Sequence, residues 1–150
     1  MTTPPLRAVV DASVAVKLFV PEDLSLEAHS VFSAFAADDA SELIVPGLFF
    51  AECANVFWKW VRRHGYPSAN AVGHLHDLGR FGLTVISTQA LADTALEIAL
   101  GHRITAYDAC YVAAAARLGL PLITADRKLV TALAKSSFDM YWLGDAKMAD

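Results

Sequence analysis

With 150 residues, the chain is long enough for one domain with a real core, and its 55% apolar content against 19% charged exceeds what an ordinary soluble surface requires. The most hydrophobic stretch, Leu43 to Trp58, is interrupted by Pro46, Glu52 and Asn55, which excludes a membrane span. The net charge of −4 argues against nucleic acid at first sight, but setting aside four of the sixteen acids as a single pocket leaves twelve acids facing twelve bases.

The start, with Pro4, Pro5 and Arg7 before a short apolar run, lacks the long apolar core and cleavage site of a secretory signal. Cys53 and Cys110 have neither CxxC nor Cys/His metal spacing, so they read as buried thiols in a reducing cytoplasm. Leu6 to Val10 is predicted as a buried strand ending at Asp11, with Ser13 opening a brief helical turn. An Asp at the carboxyl end of a first strand lies in the crevice where open parallel sheets bind ligands, although the same residue is also an ordinary helix cap. Leu24 to Ala37 is an amphipathic helix with Leu24, Ala28, Val31, Phe32 and Phe35 on its apolar side.

Leu43 to Val45 is a second strand, and Pro46-Gly47 leads into a helix from Leu48 to His64. At roughly 100° per residue, Glu52, Asn55, Lys59, Arg62 and Arg63 fall on one polar arc of that helix. The arc is either a solvated stripe or a carboxylate at the sheet edge beside Asp11 with a basic track leading away. Trp58 points away from it, which suits an interface. Gly65 and Pro67 precede a weaker helix, Ser68 to Arg80, whose His74 and His76 do not share a face and read as surface or partner-facing groups rather than metal ligands.

Leu83 to Ile86 is a third strand. Thr88 is expected to cap the next helix, through Leu100, with Leu91, Ala95, Leu96, Ile98 and Ala99 toward the core and Asp93 and Glu97 in solvent. Thr105 followed by Asp108 is a capping-box-like start to a helix that Gly119 stops before Pro121. Leu122 and Ile123 form a short buried strand, Thr124-Ala125-Asp126 turns out of it, and Lys128 to Ala134 is helical. Met140 to Leu143 is a last strand and Asp145 to Asp150 a loose tail.

Four carboxylates thus follow one rule: Asp11 and Asp126 end strands, while Glu52 and Asp108 sit early on helices. Four acids in one pocket raise one another's pKa, and hard cations are the natural compensation. Oxygen-only ligation without Cys or His suits Mg²⁺, with Mn²⁺ as substitute, and such a site can activate a water for attack on a phosphodiester.

In Val9-Val10-Asp11-Ala12-Ser13, Ala51-Glu52-Cys53-Ala54-Asn55-Val56, Thr105-Ala106-Tyr107-Asp108-Ala109 and Leu122-Ile123-Thr124-Ala125-Asp126, the chain resembles PIN-domain ribonucleases, and more narrowly the VapC toxins of type II toxin-antitoxin pairs. That resemblance covers nearly the whole chain and implies a single PIN domain over residues 1–150. It implies a three-layer α/β/α fold with a central, mostly parallel sheet flanked by helices. It makes Asp11, Glu52, Asp108 and Asp126 the catalytic metal ligands, with Ser13 and Thr124 as hydroxyls that orient them or bind metal-held water. One departure is Ala12-Ser13, where many members carry Thr-Asn or a similar polar pair.

The resemblance further implies a cytoplasmic, Mg²⁺-dependent endoribonuclease toxin that hydrolyses RNA (tRNA, rRNA or mRNA) to a 5′-phosphate and a 3′-hydroxyl. It implies a homodimer, and a VapB-like antitoxin whose tail occupies the site or its groove and through which alone operator DNA would be met. Lys17, Arg62, Arg63, Arg103, Arg127 and Lys128 are candidate RNA backbone contacts. Two rivals stay open. One is a catalytically idle PIN scaffold used for protein binding. The other is a phosphatase of the haloacid dehalogenase type, which would need an Asp where Ser13 stands.

Overall fold

Among the described residues, five short strands form one sheet in the order β3-β2-β1-β4-β5, and every neighbouring pair is parallel. The structure, a computed structural model, describes residues 3–147. The strands are β1 (Arg7–Val10), β2 (Glu42–Pro46), β3 (Thr84–Ile86), β4 (Leu122–Thr124) and β5 (Met140–Trp142). The helices are α1 (Ala12–Ala15), α2 (Ser25–Ala37), α3 (Leu48–His64), α4 (Ser68–Leu78), α5 (Thr88–His102), α6 (Ala106–Leu118) and α7 (Arg127–Ala132). A 3₁₀ turn, Leu143–Asp145, takes up the start of the expected tail, whose last three residues lie outside the described range. Among the described residues, no helix is long and apolar enough to cross a membrane.

The strands are short apolar runs because both faces of this sheet are covered, as all-parallel sheets require. Val9, Val10, Leu43, Ile44, Val45 and Leu122 are at most 1% exposed. β1 pairs with β2 on one side and with β4 on the other, so the chain reverses its direction of travel across the sheet at β1. The backbone turns that follow β1 and β4 therefore lie side by side at the sheet's carboxyl edge. Asp11 N–H donates to the Ile123 carbonyl at 3.0 Å, which fixes that register. α3 packs against α4 and α1, while α6 packs against α5 and lies on β1, β2 and β4.

α6 runs through the interior because it is nearly all small and apolar. Ala109 through Ala115 are buried without interruption. The Thr105 side chain accepts the Asp108 N–H at 3.1 Å, as the Thr-x-x-Asp spacing leads one to expect. Gly119 ends the helix at φ +64°, with the Leu120 N–H returning to the Ala115 carbonyl at 3.0 Å and the Gly119 N–H to Ala116 at 3.3 Å. A left-handed conformation costs a side-chain-bearing residue about 1–2 kcal/mol, so Gly119→Ala should lower unfolding free energy by that amount in a urea titration, without altering the acidic cleft.

Three expectations give way to tertiary contacts. Leu96 is 54% exposed, since Leu91, Ala95, Ile98 and Ala99 already form the inward stripe and Leu96 sits a full 100° from Ala95. Thr88 does not cap its own helix; its hydroxyl accepts the Leu48 N–H at 2.9 Å and so anchors the start of α3. His74 is no surface group. It is half-buried, stacked on Phe19 with centroids 4.7 Å apart, and its Nε2 shares a hydrogen bond with the Tyr66 hydroxyl.

Candidate active site: an acidic cleft at the sheet edge

Each of the four acids comes from a different element, and the fold brings all four to a cleft of about 500 Å³ above the carboxyl ends of β1 and β4. Asp11 follows β1, Glu52 lies in α3, Asp108 opens α6, and Asp126 is the N-cap of α7. Glu52 reaches the edge because α3 starts there. The Gly47 N–H donates to the Ile86 carbonyl at 2.9 Å and the Leu48 N–H to Thr88, which pins the helix start to the turn after β3. A Cβ on Gly47 would stand 3.2 Å from the Thr88 hydroxyl, so this junction is built around a glycine.

Asp11 is 6% exposed, and both of its side-chain partners donate to the same oxygen, Oδ2: Ser13 Oγ at 2.7 Å and Thr124 Oγ1 at 2.8 Å. The two hydroxyls are themselves fixed by backbone donors, the Ala125 N–H to Ser13 at 3.0 Å and the Asp126 N–H to Thr124 at 3.0 Å. Ala12-Ser13 thus supplies one hydroxyl to the carboxylate and Thr124, fully buried, supplies another. Asp126 is held likewise by one oxygen, Oδ1, which accepts the Lys128 and Leu129 N–H groups at 3.0 and 3.2 Å. Glu52 Oε1 accepts from the Tyr111 hydroxyl at 2.6 Å. Among the described residues, Asp11 Oδ1, Glu52 Oε2 and Asp126 Oδ2 have no side-chain hydrogen-bond partner, and the Asp108 carboxyl meets only the Thr105 hydroxyl of its own helix cap.

This arrangement is costly for bare carboxylates. Burial and the neighbouring Asp11 and Asp126 charges push the Asp108 carboxyl up to about 6. Burial raises Asp11 most, and the Ser13 and Thr124 hydrogen bonds offset only part of that. Glu52 is raised by burial and by the Asp11 and Asp108 charges, against the Tyr111 hydrogen bond. Cys53, fully buried beside Glu52, is held as the neutral thiol by burial, and neither cysteine is paired in a disulfide.

The donor set fits a hard divalent cation. It offers carboxylate oxygens and hydroxyls, no sulfur or imidazole, and a surplus of negative charge that raises pKa values until a cation offsets it. Among the described residues no three His, Cys, Asp or Glu side chains close into a ready-made ligand cage. An open set of this kind suits an ion that keeps several waters, as Mg²⁺ does.

Sequence reasoning missed Tyr111, which is 0% exposed and ties α6 to α3 through Glu52. Its signal was its place one turn after Asp108 on the same helix. Tyr111→Phe should leave the fold intact and reduce turnover about 10- to 100-fold by freeing Glu52, a change read from kcat with the melting curve as control. Among the described residues, none of Lys17, Arg62, Arg63, Arg103, Arg127 and Lys128 lines the cleft, and of the basic track on α3 only Lys59 does: Lys17 pairs with Glu22 at 2.9 Å, Arg62 lies over Trp58, and Arg127 lies 4.0 Å over the Trp142 ring. The basic group that does line it is Lys59, with Asn55 between it and Glu52.

A PIN domain model matches residues 8–134. The chain is 38% identical over 126 residues to Ribonuclease VapC3 of Pyrobaculum aerophilum, covering 83% of this chain and 92% of that one. It is also similar to the crystal structure of PAE2754 from Pyrobaculum aerophilum, at 28% identity and TM-score 0.64, over 93% of this chain and 85% of that one. VapBC2 of Rickettsia felis, in a structure bound to a promoter DNA fragment, shares the fold at TM-score 0.66 and 12% identity, over 91% of this chain and 98% of that one.

Proposed function

Because the chain belongs to the PIN-domain family and is similar to a VapC ribonuclease over most of its length, we propose that it is a metal-dependent endoribonuclease, the toxin of a toxin-antitoxin pair. The observation that carries this reading is the convergence of Asp11, Glu52, Asp108 and Asp126, from four separate elements, on one cleft. In it the whole chain acts as a single PIN domain in the cytoplasm, with RNA as substrate and a VapB-like antitoxin as partner. It is a homodimer whose contact with operator DNA runs through the antitoxin.

Asp11, Glu52, Asp108 and Asp126 would hold the cation, which we take to be Mg²⁺ with Mn²⁺ as substitute. When bound, a divalent cation supplies polarisation of a phosphodiester and activation of water for attack on phosphorus. The chain's residues supply position. Ser13 and Thr124 fix Asp11 through one oxygen and leave the other for ligation. Tyr111 does the same for Glu52, and the α7 N-terminus for Asp126. Asp108, held by no residue of another element and with its pKa pushed up to about 6 by burial and the Asp11 and Asp126 charges, is an acid whose charge depends on a cation being present. Lys59 meets the substrate's phosphate backbone.

The test is mapping of new RNA 5′ ends after brief induction of the chain, alongside cleavage by purified protein with Mg²⁺, with Mn²⁺ and with chelator. Discrete cuts that vanish with chelator support the nuclease. A soluble, folded protein that yields no new ends under any of these conditions would return the chain to the idle-scaffold reading. The phosphatase alternative loses its footing on chemistry, since Ser13 donates to Asp11 where an acid-base carboxyl would be required.

A further inference from the structure

Among the described residues, three aromatic side chains stand exposed: Tyr107 at 68%, Trp58 at 58% and Tyr141 at 38%. Two of them have a partner already. Arg62 lies over the Trp58 ring, and the Tyr141 hydroxyl donates to the Asp145 carbonyl at 2.9 Å. Tyr107 has neither an aromatic neighbour nor a hydrogen bond among the described residues, and it is the one of the three that lines the acidic cleft. It sits on the first turn of α6 beside Asp108, in the cleft that Val56 and Lys59 of α3 also line.

An exposed ring is poorly hydrated and gains by covering a flat apolar surface. A nucleobase offers such a face whatever its identity, and base–aromatic stacking is among the larger single contributions to binding of unpaired strands. A base inside a duplex has both faces taken by its neighbours. Lys59 lies seven residues after Glu52, two turns or roughly 10 Å along α3. That places a phosphate contact beyond the acids rather than among them.

Resting on the nuclease reading above, we propose that Tyr107 is a stacking platform for an unpaired nucleobase next to the scissile phosphate, with Lys59 holding a neighbouring backbone phosphate. The cleft then takes single-stranded RNA or a loop and refuses a continuous duplex. Tyr107 sets which strand conformation is accepted, and the acids carry out the cut.

The experiment compares a fluorescein-labelled single-stranded oligoribonucleotide of mixed sequence with its duplex, by anisotropy, in an Asp108→Asn background that spares the RNA. Tyr107→Ala should weaken single-strand binding by roughly ten-fold or more, with little change for the duplex. Tyr107→Phe should stay within a few-fold of the parent, because the ring and not the hydroxyl does the stacking. Lys59→Gln should weaken binding and lower the slope of log affinity against log salt by about one. In the otherwise unaltered enzyme, Tyr107→Ala should raise KM for the single strand.

Unchanged single-strand affinity in Tyr107→Ala would overturn the proposal, as would an equal loss for duplex, or a Phe variant as impaired as the Ala variant. Unchanged RNA affinity with altered self-association would assign Tyr107 to a protein contact instead. If the unaltered chain cleaves no RNA, the nuclease reading fails and this one fails with it. If it cleaves, and Tyr107→Ala cleaves with the same KM, only the stacking role is lost.

Discussion

Asp108→Asn is expected to lower RNA cleavage by about a thousand-fold or more while the chain stays folded. The direction follows from what this carboxyl lacks. It lacks a partner on any other element: its links are to Thr105 of its own helix cap, whose hydroxyl accepts the Asp108 backbone N–H at 3.1 Å, a bond that asparagine keeps. Removing its charge takes nothing from the packing and relieves repulsion with Asp11 and Asp126. A lost cation ligand removes several kcal/mol of transition-state stabilisation, hence the size of the effect. The variant should therefore melt no lower than the parent in chelator at neutral pH, and higher if repulsion dominates, while losing most of the stabilisation that Mg²⁺ gives the parent. Wild-type cleavage rates in Asp108→Asn would remove this residue from the site. A drop in rate accompanied by unfolding would show it to be structural.

The metal-free chain is expected to be more stable at pH 5 than at pH 7.5, and Mg²⁺ should reverse that order. Asp108 has a folded-state pKa of about 6, above its ordinary value of 3.8. A raised pKa means that the fold favours the protonated form. The group's contribution to stability is complete below the unfolded value and is lost as pH rises through about 6. Asp11 and Glu52 shift in the same direction, each led by burial. A cation that binds the ionised acids restores the loss, and at a hundred times its dissociation constant it would raise the melting temperature by about 5–10 °C for a chain of this size. Thermal melts across this pH range, with chelator and with Mg²⁺, measure both effects. A metal-free chain equally stable at the two pH values and indifferent to Mg²⁺ would mean that the acids neither repel one another nor bind the ion. In Asp108→Asn the pH dependence should shrink.

Both effects arise from acids that short-range sequence patterns mark out. Asp11 and Asp126 stand at the ends of short apolar runs, and Glu52 and Asp108 at early helical positions. Such signals are local, since strand length, helix period, the Thr105 cap and the Gly119 stop each depend on a few consecutive residues. The helix over Leu48–His64 carries its bounds in the sequence itself, between Pro46-Gly47 and Gly65. Even the convergence of the acids is open to argument from sequence, because in a parallel sheet all strands end at the same edge.

What no window of sequence contains are the contacts between distant residues. The Tyr111 hydroxyl meets Glu52 across 59 positions, Thr124 meets Asp11 across 113, and Thr88 holds the start of α3 across 40. Periodicity cannot assign these hydroxyls, because each one's nearest partner in space lies on another element. Leu96 and His74 defy their local patterns for the same reason: an apolar residue is buried only if another element covers it, and a histidine is exposed only if none does. Sequence by itself determined the order of elements, most of their ends and the four acids at the sheet edge. Tertiary structure alone decided which oxygen of Asp11 and of Glu52 is tethered across elements and which is left for a ligand, because that geometry is set by the packing of whole elements and not by neighbours along the chain.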